Sequence, residues 1–355
     1  MRRVSEAVYA EESWNPLART VELTEDRLKV GRRSTPLGEL NLAAMADAYL
    51  RGQWLGGGGS ERPLAQLATG TGIVPITRIT GSTNPVKVRR AAEFARILGD
   101  MAVRQAGGPA AVAALADQAR AEGVPLWIAR RTAKSPAGPV TVAVDRRSVR
   151  ADVWAPSSPV VRVRAPHGVS ADRKSPGRGL LVTVDERPAG LIITHTWRKS
   201  TRSVTIKIAE SRWELRRENS WSSRLTRNGR PVALLTRPRP GTAAPDMVLL
   251  SLAEIRHDSL DPLDAVMAHT FGVAFGLGDG TGTVRFHARP VPSSAGSTTW
   301  DQPWFTYLGA GSDDNGSGSG VGDGWDSSSG GDASSDGGGS DSGGGGSDGG
   351  GADGG

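Results

Sequence analysis

The chain has 355 residues, of which 48 are glycine and none is cysteine. The absence of cysteine excludes disulfides, thiolate zinc sites, iron–sulfur clusters and cysteine nucleophiles. The formal net charge is +6, but residues 146–239 alone hold 21 Arg or Lys and 7 Asp or Glu. Such a basic stretch favours an anionic partner. The alternative is compositional bias, because arginine outnumbers lysine 37 to 6 in an alanine- and glycine-rich chain.

The sequence indicates neither a secretion signal nor a membrane span. Glu11 and Glu12 fall where a signal peptide would be apolar. No stretch reaches the ~18 uncharged apolar residues that a transmembrane helix needs. We therefore expect a cytoplasmic protein, with a peripheral membrane location as the alternative.

Residues 1–131 are predicted to form a mixed α+β region. Alternating residues at 19–30 indicate two strands that turn at Glu25-Asp26. Periodic apolar residues favour several helices. The Gly107-Gly108-Pro109 break separates the helices predicted on either side of it, which then form a helical hairpin. The predicted elements are a helix at 38–51, a strand at 73–80, and helices at 86–106 and 109–122.

Residues 132–138 are interpreted as a linker, and 139–310 as an antiparallel β barrel. Short strands with turns every ~8–12 residues are typical of a barrel or sandwich. Asn228-Gly229 is the best hairpin signal in the chain, and residues 185–190 supply another turn. Strands are predicted at 139–145, 148–154, 159–164, 179–185, 190–197, 203–209, 212–217, 222–227, 231–237 and 246–255.

One helix, predicted at 261–277, interrupts the β region. Asp261 is a suitable N-cap, Pro262 suits the first helical position, and Asp264 suits the positive end of the helix dipole. No residue from 265 to 277 is charged. Because a helix that is apolar on every side must be buried on every side, we expect a β barrel to enclose it. A strand at 282–290 is predicted to follow.

Many short strands followed by this helix resemble the tubby C-terminal-like fold, which includes LURP-one-related proteins and phospholipid scramblases. The residues that carry the likeness are 260–268 (LDPLDAVMA), within a resemblance that covers roughly 139–290. The resemblance implies a 12-stranded barrel around the helix. For some members it also implies a basic face that meets phosphoinositide or other anionic lipid.

The last 45 residues, 311–355, are almost entirely Gly, Ser and Asp, with nine aspartates. Such a segment cannot bury an apolar core, so we expect it to be disordered. A flexible acidic tail of this length reaches far enough to fold back over a basic surface. Masking of that surface by residues 311–355 is therefore a hypothesis from the sequence.

Basic side chains between residues 198 and 230 are the first candidate site. Adjacent turns and outward strand positions bring them toward one patch, with Trp197, Trp213 and Trp221 interleaved. Tryptophan beside arginine suits a lipid interface or a stacked base. The alternative is three core tryptophans beneath a solvated charged face. The candidate anion-binding residues are Arg198, Lys199, Arg202, Lys207, Arg216, Arg217, Arg224, Arg227 and Arg230.

A second candidate is the 81–87 loop (GSTNPVK), which follows one predicted strand and precedes a helix. Ser82, Thr83 and Lys87 at a helix N-terminus could hold a phosphate. The string is similar to the opening loop of inosine/xanthosine triphosphatases, although the acidic motif of that family is not visible downstream. The alternative is an ordinary helix cap.

The five histidines show no metal-ligand spacing, and no nucleophile-elbow motif is present. We therefore predict no catalytic residue, metal or cofactor. The leading hypothesis is a non-catalytic binding module for acidic phospholipid or another phosphate-bearing partner. The alternatives are a nucleic-acid binding protein, a structural or scaffold protein, and a phosphate-handling enzyme that uses the 81–87 loop. The sequence leaves the oligomeric state open.

Overall fold

The N-terminal region contains eight strands and three helices in its described part. A computed structural model describes residues 6–11, 20–145, 149–165, 177–238 and 252–286. The strands are β1 (Ala7–Ala10), β2 (Val21–Thr24), β3 (Arg27–Val30), β4 (Arg33–Pro36), β5 (Gln53–Leu55), β6 (Glu61–Pro63), β7 (Gly72–Thr77) and β8 (Thr83–Val88). The helices are α1 (Leu42–Leu50), α2 (Ala91–Gln105) and α3 (Pro109–Glu122).

Strands β1 to β4 form one antiparallel sheet, and β5–β6 and β7–β8 form two separate hairpins. The predicted turn at Glu25-Asp26 and the helical hairpin are confirmed. Helix α2 begins at Ala91 rather than at 86, because Val86 and Val88 alternate into the core as part of β8. The buried faces of α1 and α2 pack around Trp54 and Phe94, which are both inaccessible to solvent.

The rest of the described chain forms an antiparallel sheet of eleven strands in consecutive order. Nearly closed on itself, this sheet makes a barrel, so the α+β class with an antiparallel barrel is confirmed. Its strands are β9 (Ala129–Ser135), β10 (Gly138–Asp145), β11 (Arg150–Ala155), β12 (Ser158–Arg164), β13 (Leu181–Val184), β14 (Arg187–Thr194), β15 (Ser203–Ile208), β16 (Ser211–Arg217), β17 (Ser222–Arg227), β18 (Arg230–Thr236) and β19 (Glu254–His257).

The structure corrects the interpretation of residues 132–138 as a linker. Residues 129–135 form β9 and pair with β10 in register from Ala129↔Val144 to Ser135↔Gly138. Gly138 has φ of 107°, a left-handed value that glycine tolerates, so the Ser-Pro-Ala-Gly sequence turns a hairpin there. Of the residues that suggested a linker, 132–135 belong to β9, and Pro136 and Ala137 form the turn.

Tight hairpins connect the strands where the backbone takes two successive positive φ angles. Asn228 and Gly229 have φ of 50° and 81° between β17 and β18. Asp185 and Glu186 have φ of 49° and 62° between β13 and β14. This backbone matches the right-handed twist of paired strands, which is why two-residue turns of this kind dominate hairpins. The turn predicted at Asn228-Gly229 is confirmed, and the turn predicted at 185–190 is confined to residues 185 and 186, because β14 already begins at Arg187.

Helix α4 (Pro262–Ala274) lies inside the barrel, as its apolar sequence predicts. Every residue from 264 to 274 is buried. The Asp264 carboxylate is buried and accepts hydrogen bonds from the Trp213 indole at 2.7 Å and from the Ser259 hydroxyl at 2.7 Å. The Asp261 side chain caps the helix by accepting from the Leu263 N–H at 2.8 Å.

The helix ends three residues before the predicted 277. Phe275 adopts extended backbone and bridges to Val284, so the chain reverses immediately after Ala274. Gly276 is required there, because a Cβ atom would collide with the Gly280 carbonyl oxygen. The strand predicted at 282–290 is described only over residues 282–286. In that part it forms this single bridge and no longer strand. Residues 287–290 lie outside the described residues, as do the predicted tail 311–355 and most of the predicted strand 246–255.

A buried carboxylate joins the N-terminal region to the barrel. Asp152 is fully buried on the outer side of β11, where it contacts Arg150 at 2.8 Å, Arg162 at 2.6 Å, and Arg164. Arg162 also donates to the Glu122 carbonyl oxygen at the end of α3, at 3.1 Å. Burial by itself would raise the pKa of Asp152, but the hydrogen bonds and charges of Arg150 and Arg164 outweigh it and hold the pKa below its ordinary value.

Among the helices that the structure describes, none is long enough and apolar enough to cross a lipid bilayer.

Candidate anion-binding surface

Three chain connections meet at one end of the barrel: β14 to β15, β16 to β17, and the exit from α4. Asp279, which follows α4, contacts Lys199 Nζ at 3.4 Å and Arg217 Nε at 2.7 Å. Its backbone N–H donates to the Ser220 carbonyl oxygen at 3.4 Å. Asp279 therefore holds all three connections together. We call this surface the basic end and define it as Trp197, Arg198, Lys199, Arg202, Arg217 and Trp221.

The β14–β15 connection is shaped by its own hydroxyl groups. Thr196 and Thr201 both donate to the Arg198 carbonyl oxygen, at 2.8 and 3.0 Å. Arg202 Nε donates to the Thr196 carbonyl oxygen at 2.8 Å, which closes the loop. Arg198 and Lys199 are left exposed while Arg202 is half-buried. The predicted clustering of these three cations in one turn is what the loop produces.

The three tryptophans that the sequence places among the basic residues divide into one core residue and two surface residues. Trp213 is 1% exposed, but Trp197 is 83% exposed and Trp221 is 53% exposed. The guanidinium of Arg198 lies 4.8 Å from the centroid of the Trp197 ring, within cation–π range. An indole left in solvent beside cations is the combination that suits the headgroup level of a membrane.

Three more of the predicted residues lie outside the basic end, on the outer surface of the strands: Lys207, Arg216 and Arg224. Nearby carboxylates offset positive charge on this surface. Arg224 contacts Glu218 at 2.6 Å and Asp258 at 2.8 Å, and Arg216 contacts Glu214 at 2.8 Å. The hydrogen bond from Arg224 lowers the pKa of Glu218. Arg216 and Arg224 are therefore already engaged with acidic side chains.

Arg227 and Arg230 lie at the other end of the barrel. Strand register pairs Trp213 with Arg227 but Arg217 with Ser223, so Arg217 and Arg227 are at opposite ends of β16 and β17. Arg227 contacts Asp261 at 2.7 Å and stacks 4.8 Å from the Trp213 ring centroid. The nine basic residues therefore occupy three places rather than one merged patch. The counter-charges and the strand direction separate them, and neither is visible in local sequence.

The 81–87 loop is not at a helix N-terminus, which corrects its predicted placement. Ser82 lies in the turn between β7 and β8, while Thr83 and Lys87 are in β8. Thr83 is buried, with its hydroxyl 3.2 Å from that of Thr77. Ser82 shares a hydrogen bond with Thr80 at 2.8 Å, and Lys87 is exposed. No helix dipole faces these side chains, so the geometry for the predicted phosphate cradle is not formed.

A cleft of about 720 Å³ lies where α1, α3 and the β5–β6 hairpin approach the barrel. Arg51 crosses one wall and contacts Asp47 at 2.8 Å and Glu61 at 2.6 Å. Trp127 covers Gly59, where a side chain would collide with the indole. No sequence motif marks this cleft, because four separate segments form it. Its apolar lining includes Ala44, Leu55, Ala116, Ala119, Val124 and Leu126.

Within the described ranges, no group of three or more His, Asp or Glu side chains has the geometry to hold a metal ion.

Comparison with known proteins gives no relative: no family model, no curated protein and no solved structure matches this chain.

Proposed function

We propose that the barrel binds anionic lipid at a membrane surface through its basic end. The observation that carries the proposal is the exposure of Trp197 and Trp221 at the end of the barrel where Asp279 joins Lys199 and Arg217. The barrel around helix α4 also agrees with the element order of the tubby-like resemblance, with eleven described strands where that resemblance implies twelve. Kinship with that fold, and with its lipid-binding members, is part of the proposal.

The charges of the basic end set the expected free energy of binding to an anionic membrane. Each Lys or Arg near an anionic leaflet contributes about 1 kcal/mol. The four cations of the basic end are offset by Asp279, so a net attraction of about 3 kcal/mol is expected. The tryptophans add interfacial contact. Binding of this kind is weak and reversible, and it falls as salt screens the charges.

The first test removes the three cations of the β14–β15 connection. We expect Arg198→Ala, Lys199→Ala and Arg202→Ala together to weaken co-sedimentation with phosphatidylserine-containing vesicles by about 100-fold, because about 3 kcal/mol of attraction is lost. The measurement is the fraction pelleted against lipid concentration at low salt.

The matched control removes three arginines from the other end of the same strands: Arg187→Ala, Arg212→Ala and Arg230→Ala. This variant has the same net charge as the first but keeps the basic end, so we expect near-normal pelleting. Equal loss in both variants would mean that overall charge alone drives binding. Equal pelleting of the unaltered protein with neutral and acidic vesicles would contradict the proposal altogether.

A second prediction concerns Asp279, which lies between two cations of the basic end. Replacing it with asparagine keeps its size but removes the charge that competes with lipid phosphate. We expect Asp279→Asn to strengthen binding to acidic vesicles about fivefold, since one unit charge near the surface is worth about 1 kcal/mol. Asp117→Asn on α3 changes the net charge equally and is expected to leave vesicle binding unchanged. Weaker binding by the Asp279 variant would show that the carboxylate serves only to hold the loops.

A further inference from the structure

Two histidines lie together inside the barrel. His269 is in the middle of α4 and is 3% exposed. His257 is half-buried on β19, between outward-facing Arg256 and Asp258. The two ring centroids are 6.0 Å apart, with their planes tilted by 45°. In the described part of the chain, neither Nε2 atom has a hydrogen-bond partner although both are buried.

A buried polar atom without a partner is costly, so each such atom requires an explanation. Here the two rings that carry such nitrogens lie 6.0 Å apart, measured between their centroids. Burial lowers the pKa of both imidazoles, and that of His269 falls to about 4. Both rings are therefore neutral near pH 7. Neutral imidazole is the form that binds metal ions through a nitrogen lone pair.

The separation of the rings fits one shared ion. A metal–nitrogen bond is about 2 Å long, and the ring centre lies about 1 Å beyond the nitrogen. Two imidazoles on opposite sides of one ion therefore have centroids about 6 Å apart. Rotation about that axis is free, so the 45° tilt is compatible with such a pair.

The surroundings favour an ion of low charge. The barrel strands that pack against α4 present apolar side chains, including Val142, Val153 and Leu235. The buried carboxylates Asp152 and Asp264 are already engaged, by arginines and by Trp213 respectively. A divalent ion here would lack compensating charge, which is expensive to bury. Copper suits imidazole ligands, and Cu(I) carries one charge and accepts two ligands in a line.

His257 lies at an edge of the described sheet. Among the described strands, β9 and β19 are each paired on one side only. His257 is on β19 and is half-buried, so of the two rings it is the one that solvent reaches. We propose that His257 and His269 together bind one copper ion, as Cu(I).

The test is an anaerobic titration of the full chain with Cu(I) against a colorimetric Cu(I) chelator. We expect one ion per chain and a rise in melting temperature. His257→Ala and His269→Leu are each expected to weaken Cu(I) binding at least about 100-fold, since each removes one of two ligands. X-ray absorption should show two nitrogen ligands on the bound ion.

His195→Ala, at an exposed histidine outside the barrel interior, is the matched control and should bind Cu(I) normally. Because His257 is half-buried, its variant tests the proposal even if the core variant fails to fold. Absence of stoichiometric binding would overturn the site. Binding that survives both substitutions would also overturn it, because the ion would then be held elsewhere.

Discussion

Replacing Asp152 with alanine is expected to lower the free energy of unfolding by about 3–5 kcal/mol. The substitution leaves Arg150, Arg162 and Arg164 close together, partly buried, and without their shared carboxylate. Removal of one partner from a buried ionic group costs far more than the group contributes in net stability, because the remaining charges stay desolvated. Chemical denaturation, followed by tryptophan fluorescence, measures the effect.

The control for this prediction is Asp117→Ala, which breaks an exposed pair with Arg120 on α3. An exposed pair of this kind is worth less than about 1 kcal/mol, so the two variants should differ clearly. A loss of similar size in both would show that Asp152 acts as a surface charge. The direction of its pKa shift also gives the pH dependence: the contribution of Asp152 is present above its ordinary pKa and is lost as pH falls through the lowered one.

The second large effect is a loss of folding stability in mild acid. It is expected in the metal-free protein, with a chelator present. His269 has a pKa of about 4 in the folded protein, against 6.5 ordinarily, because burial and then the charge of His257 oppose its protonation. Above pH 6.5 neither the folded nor the unfolded state binds this proton, so His269 does not lower the free energy of unfolding. Between pH 6.5 and 4 only the unfolded state binds it, so folding stability falls by about 3 kcal/mol. Below pH 4 both states bind it and the difference stays constant.

Substitution of His269 by leucine should remove this loss, because the proton-binding group is absent from both states. The experiment measures the denaturation midpoint at pH 7 and at pH 4.5 for the unaltered protein and for the variant. His195→Ala keeps the buried imidazoles and should keep the full pH dependence. An unaltered pH profile in the His269 variant would place the acid sensitivity elsewhere. Besides burial, His257 on β19 is the group that lowers the pKa of His269.

Helix α4 and the hairpins could be predicted from sequence because each depends on neighbours in the chain. Asp261, Pro262 and the uncharged run after Asp264 mark the helix by local capping and burial. Asn228-Gly229 marks its turn by backbone preference alone. The boundary between β8 and α2 was wrong because Val88 fits two periods: it lies two positions after Val86, as in a strand, and three and four positions before Ala91 and Ala92, as in a helix.

The candidate surface was harder to predict, since charge compensation depends on residues far apart in the chain. Arg224 meets Asp258 across 34 positions, and Lys199 meets Asp279 across 80. The sequence shows the cations and their outward positions but not which carboxylates oppose them. The difference in exposure between Trp197 and Trp213 was equally hidden, because it depends on the tertiary fold: Trp197 lies in the connection after β14, and Trp213 on β16 faces the core. The cleft beside Arg51 has no sequence signal at all.

The position of α4 in the chain has a consequence for synthesis on the ribosome. Strands β9 to β19 pair only with sequence neighbours, so each hairpin can form soon after its residues emerge. The helix that fills the interior is made after all of them. Until residue 274 has left the ribosome, the curled sheet has an apolar inner surface and nothing to cover it. Such nascent intermediates expose hydrophobic surface and strand edges, which makes them substrates for chaperones. Stop codons before residue 262 should therefore yield aggregated or degraded chains rather than a smaller folded barrel.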